Sequence, residues 1–245
     1  MKKAALVWAA GFVAGLVWFS LTSPQALDGI ARWALARAPV PVVWRALHWA
    51  GLGVAFEGLR VELPQGSLFC PYLRLAPAWS PWGALGWEAQ AACDGLSGAL
   101  VFHPRGEALG VAANGLRLGL GALAARWGVA GVQGEAELSG KLVLAPGRAE
   151  GKARVNAAAL TLPAPLGEVR NVRLEVVGKG QALDWTLEAD KPPIRGQGRV
   201  RLGTSVANTS LAGEIQALGM RWALAGTLAK PRLAPAGMNI QGAIR

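Results

Sequence analysis

From residue 132 to residue 228 the chain alternates apolar and polar residues with a period of two, segment after segment. Val132, Gly134, Ala136, Leu138, Gly140, Leu142 and Leu144 share one side, while Gln133, Glu135, Glu137, Ser139 and Lys141 share the other. Ala149 to Val155 repeats the pattern against Arg148, Glu150, Lys152 and Arg154, and Val172, Leu174 and Val176 oppose Asn171, Arg173 and Glu175. Leu183 to Ala189, Ile194 to Leu202, Leu211 to Ala217 and Met220 to Leu228 continue it. Turn-forming residues separate the runs at Pro146-Gly147, Gly178-Lys-Gly180, Lys191-Pro-Pro193 and Asn208. Such a pattern is an antiparallel meander rather than a series of strand–helix–strand crossovers.

The alternation begins at about Gly53, and beyond residue 50 only Leu116 to Trp127 reads as helix, weakened by Gly119 and Gly121. A sheet with one apolar side and no helices to shield it must curl, fold as a sandwich, or take up something apolar. Glycines on that side permit sharp curvature. The predicted fold is therefore all-β: a curled antiparallel β-meander, sandwich-like or with an open or half-open groove suited to acyl chains.

The first residues read differently. Lys2-Lys3 precedes an uncharged run from Ala4 to Leu21. Its eighteen residues span about 27 Å as a helix, enough to cross a bilayer core. A cleaved signal peptide has a shorter apolar region and a small-x-small cleavage site. Here the run carries Trp8 and Trp18 and ends at Ser20-Leu-Thr22, which favours an uncleaved anchor over residues 1–23. The paired lysines put the N-terminus in the cytoplasm and the rest outside. Two helix-compatible stretches, Asp28 to Ala38 and Val42 to Ala50, follow within a juxtamembrane helical segment, 24–52. Trp33, Trp44 and Trp49 suit an interfacial belt there. Residues 53–245 form the β domain.

Lys and Arg outnumber Asp and Glu by 25 to 15, for a net charge of +10. The basic residues are scattered singly, and the Arg195, Arg199, Arg201 edge lacks the interleaved aromatics that nucleic-acid binding needs. His48 and His103 lie far apart in sequence, with neither a metal-ligand spacing nor a nucleophile motif. Glu135 and Glu137 are a solvated strand face, and no glycine-rich loop leads into a good helix. The sequence thus points to no catalytic, cofactor-binding or metal-binding residues, and to a non-enzyme. Cys70 and Cys93 flank Pro77-Ala-Trp-Ser-Pro-Trp-Gly83. A hairpin centred on Pro81-Trp82 sets them opposite each other, at a separation that suits a disulfide, which an oxidising periplasm would form.

The phrases Gly95-Leu-Ser-Gly98-Ala-Leu, Gly134-Glu-Ala-Glu-Leu-Ser-Gly140 and Leu224-Ala-Gly-Thr-Leu-Ala-Lys-Pro231-Arg-Leu follow a short basic N-terminus and a single anchor. In this layout the chain resembles protein N of the type II secretion system, and its last phrase resembles the closing strand of the related AsmA-like envelope proteins. The tryptophan-rich stretch Trp79 to Trp87 and the cysteine pair depart from that family. The resemblance implies a single-pass inner-membrane accessory with its bulk in the periplasm of a Gram-negative cell. Its partners would be the inner membrane and other secretion-system envelope proteins, or lipid acyl chains on the AsmA-like reading, and not nucleic acid.

Overall fold

The structure is a computed structural model that describes residues 24–35, 41–63, 66–126, 129–203, 208–228 and 230–236. The expected anchor over 1–23 lies outside them. Among the described residues no helix is long and apolar enough to cross a membrane. The chain divides into two units, 1–76 and 77–245.

In the first unit, helix α1 (Pro24–Leu35) opens on a proline, whose fixed φ and missing N–H suit a first helical turn. Within it Arg32 Nε donates to Asp28 at 2.6 Å, an i,i+4 pair. Three strands and most of a fourth follow: β1 (Val42–Val43), β2 (Ala46–Ala50), β3 (Gly53–Leu63) and β4 (Gly66–Trp79), whose last residues belong to the second unit. Residues 42–50 are thus strand, where the sequence suggested a second juxtamembrane helix. The two pieces continue one register along β3, from Val42↔Val61 to Ala50↔Gly53, with an interruption at Trp44-Arg45. Val42, Val43 and two tryptophans make this stretch a weak helix former, and pairing with β3 outweighs its helix-compatible spacing. Leu47, Ala55, Phe56, Leu59 and Cys70 are buried here.

The second unit is the meander. Its strands are β5 (Leu85–Cys93), β6 (Leu96–Arg105), β7 (Ala108–Gly119), β8 (Gln133–Ala145), β9 (Arg148–Leu162), β10 (Gly167–Gly180), β11 (Ala182–Ala189), β12 (Ile194–Arg201), β13 (Ser210–Ala217), β14 (Met220–Thr227) and β15 (Lys230–Pro235). Each pairs antiparallel with the next in sequence. All lie in one sheet that does not close on itself. Strands of a single sheet are not the two facing sheets of a sandwich, so that variant of the expected fold is set aside. Helix α2 is only Leu120–Arg126, because β7 runs on through Gly119 and takes the first part of the stretch read as helical.

Register turns the sequence alternation into two faces. One row crosses all eleven strands as Ala89, Leu100, Ala113, Gly140, Ala153, Val176, Trp185, Gly198, Gly213, Leu224 and Leu233. The adjacent row on the other face reads Glu88, Val101, Ala112, Lys141, Lys152, Val177, Asp184, Arg199, Ala212, Ala225 and Arg232. The first face carries no charge in this row, and the second carries six of the charges that keep the sheet wet on one side. Three register shifts, between Ser97 and Leu100, Ala113 and Leu116, and Gly134 and Glu137, absorb extra residues without mixing the faces.

One end of the apolar face is closed. Val169, Ala189, Ile194 and Ala217 cluster with Leu162 and Leu166 of the β9–β10 hairpin. Ala136, Ala157 and Leu160 take Leu120 of α2 on top. The helix seats on the β5–β6 turn because Gly95 is bare: a Cβ there would lie 2.9 Å from the Ala122 Cβ. Gly119 N–H donates to the Gly95 carbonyl at 2.9 Å, fixing the junction.

Candidate functional site

Away from that closed end the apolar face is only half-buried. Leu100, Val111, Leu142, Val155, Leu174 and Leu187 keep partial contact with solvent, and Trp87 is 51% exposed. Ordinary cores bury such residues fully, so this face has apolar surface to spare. Its largest buried side chain is Trp185, at 9% exposure. The indole lies flat across β12 and β13 because Gly196, Gly198 and Gly213 leave bare backbone beneath it. A Cβ on Gly198 would come within 2.6 Å of the ring and one on Gly213 within 2.5 Å. The indole N–H is buried without a hydrogen-bond partner.

A hollow of about 1100 Å³ lies over the opposite, charged face. Sequence reasoning placed its groove on the apolar side; this one follows the other row. Ala99, Val101, Ala112 and Val177 give it apolar lining, and Lys141, Lys152 and Arg154 give it charge, with Glu88 at the β5 side. A wall comes from the turn between β4 and β5, where Ser80 N–H donates to the Ala84 carbonyl at 2.8 Å and Gly83 N–H to the Ser80 carbonyl at 3.0 Å. This turn carries Pro81, which lines the hollow, and Trp82, which stacks on His103 with centroids 6.2 Å apart and planes at 24°. Gly110 makes room for that ring: a Cβ there would lie 2.9 Å from Trp82 Cζ3. His103 is held by a 3.0 Å contact from Nδ1 to the Leu85 carbonyl.

The electrostatics of this face are paired but uneven. Glu175 takes both Lys152 Nζ at 2.7 Å and Arg154 Nη2 at 3.0 Å. Hydrogen bonds from Lys152 and then Arg154 hold its carboxyl below the usual glutamate range. Asp184 accepts from Arg199 Nε at 2.7 Å and faces Lys179 Nζ at 3.4 Å, and the Arg199 bond holds its carboxyl low. Among the described residues Lys141 makes no ion pair, and it stands directly opposite Lys152 in the β8–β9 register.

The residues weighed from the sequence fall as follows. His48 on β2 sits 3.9 Å from Glu57, and His103 serves the turn just described. Among the described residues no three metal-ligating side chains gather. Glu137 stands opposite Arg117 and Asn156 on the charged face. Arg195, Arg199 and Arg201 share the charged face of β12, where Arg199 is committed to Asp184. Cys70 on β4 is 2% exposed and Cys93 ends β5, and both are disulfide-bonded. The hollow was missed because its cations lie eleven residues apart in sequence and meet only through register. Comparison with known protein families, with characterised proteins and with solved structures finds no match.

Proposed function

We propose that this chain is a non-catalytic envelope protein, anchored in the inner membrane, that holds acyl chains of lipid against the apolar face of its open sheet. The observation that carries this reading is the uncharged row from Ala89 to Leu233, half-buried for most of its length and, among the described residues, without helical cover except at one end. Each apolar Å² removed from water contributes about 25 cal/mol, so chains laid along such a face gain affinity without any specific contact. Native mass spectrometry of gently purified full-length protein tests it. Adducts with phospholipid masses are expected, and a bare protein mass would overturn the reading.

The sequence resemblance supports a second reading: an accessory of the type II secretion machinery that works through protein contacts. The observation in its favour is the open edge, since an unclosed sheet offers strand pairing to a partner. Cross-linking in cells that recovers inner-membrane secretion components, with no lipid adduct, would establish it over the first. In both readings Cys70 and Cys93, the two cysteines of the chain, are bonded to each other in an oxidising compartment.

A further inference from the structure

We infer that the hollow on the charged face binds an anionic amphiphile: a ligand with a phosphate or carboxylate head and a short apolar body. The inference does not depend on the lipid reading, because the two surfaces are opposite sides of one sheet.

Like charges directly opposed across an antiparallel pair are destabilising, yet Lys141 and Lys152 stand in that relation on β8 and β9. Elsewhere on this face Lys152 and Arg154 pair with Glu175, and Arg199 and Lys179 with Asp184. Arg173, Arg195 and Arg201 make no ion pair among the described residues but have no like charge directly opposite. The one carboxylate lining the hollow is Glu88, separated from Lys141 by β6 and β7. The site therefore offers a cation that makes no ion pair among the described residues, flanked by a second lysine and by Arg154. A phosphate or carboxylate placed there would offset the repulsion between the two opposed lysines.

The remainder of the hollow fixes the other half of the ligand. Between Glu88 and Lys141 the row supplies Val101 and Ala112, and beyond Lys152 it supplies Val177. Ala112 is 7% exposed and presents only a methyl group. Small side chains leave the depth, and the Pro81-Trp82 turn raises the wall. A free inorganic ion would use the lysines and leave this lining wet. An apolar body of a few carbons would cover it, and the volume, about 1100 Å³, lies just above the usual size of small-molecule sites.

The test uses the full chain in nanodiscs of zwitterionic phospholipid, titrated with octyl phosphate and with inorganic phosphate. Saturable binding of octyl phosphate is expected, weaker at high salt. Lys141→Gln should weaken it about tenfold or more, the loss for one hydrogen bond to a charged group. Arg232→Gln, on the same face but at the edge strand, should leave it unchanged. Absence of saturable binding, equal affinity in Lys141→Gln, an equal loss in Arg232→Gln, or inorganic phosphate binding as tightly as octyl phosphate would each overturn the inference. Repeating the titration in nanodiscs containing phosphatidylglycerol separates the sources. Competition dependent on Lys141 identifies a membrane headgroup, and its absence identifies a soluble ligand; both support the site. Circular dichroism melts of the two variants, whose replaced side chains are exposed, should overlay the parent.

Discussion

Trp185, buried on the apolar face described above, lies over three glycines. Replacing it by Ala opens a cavity that the rigid backbone beneath cannot fill, so urea unfolding should report a loss of about 3–5 kcal/mol. Replacing it by Phe keeps a ring on the same seat and removes a buried N–H that has no partner. That variant should lose less than half as much. At Glu175 the expected effect is one of pH. Its carboxyl is held below the usual glutamate range by Lys152 and then Arg154. A group with a depressed folded-state pKa contributes stability above its unfolded value and loses it as pH falls through the folded one. Glu175→Gln should therefore flatten the acid limb of the stability curve below the ordinary glutamate range. Denaturation midpoints measured across that range check it. Near neutrality the change should be small, because the ion pairs are exposed.

At the scale of strands, Gly213 shows how closely β12, β13 and the indole approach. An added Cβ would sit 2.6 Å from the Gln197 carbonyl oxygen as well as 2.5 Å from the ring. Gly213→Ala should force the two strands apart locally, costing about 1–3 kcal/mol, and hydrogen exchange should show faster amides in β12 and β13 than in β9 and β10. Much of this arrangement was legible in the sequence. Strands β8 to β14 follow the alternation nearly residue for residue, because one face must be wet and the other dry and the period of two leaves no other solution. The failures have physical causes. Val42 to Ala50 has a spacing compatible with a helix, and only pairing with β3 decides for strand. In β7 the strict period breaks at Asn114-Gly115, where the left-handed Gly115 (φ +69) makes a bulge that brings Ala113 and Leu116 to the same side. The hollow was not legible, because neither the fold of the Ser80–Ala84 turn nor the meeting of Lys141 with Lys152 is written in local pattern.

For the molecule as a whole, oxidation is the first thing to measure. Both cysteines are bonded, and if they are bonded to each other the denatured, unreduced chain will be about two mass units lighter than the reduced one and will resist alkylation. Reduction should lower stability by about 2–4 kcal/mol, the range for a cross-link that restrains the unfolded chain. From β5 onward, among the described residues, every strand pairs only with its neighbours in sequence. Such an object has no fixed size: a hairpin taken out or duplicated returns the chain to the same place, heading the same way, with oil and water on their former sides. An odd strand would instead reverse the direction of all that follows. Growth and shrinkage in steps of two are thus open to this architecture, and β15 carries Pro231 and Pro235, two positions that supply no amide donor to a further strand.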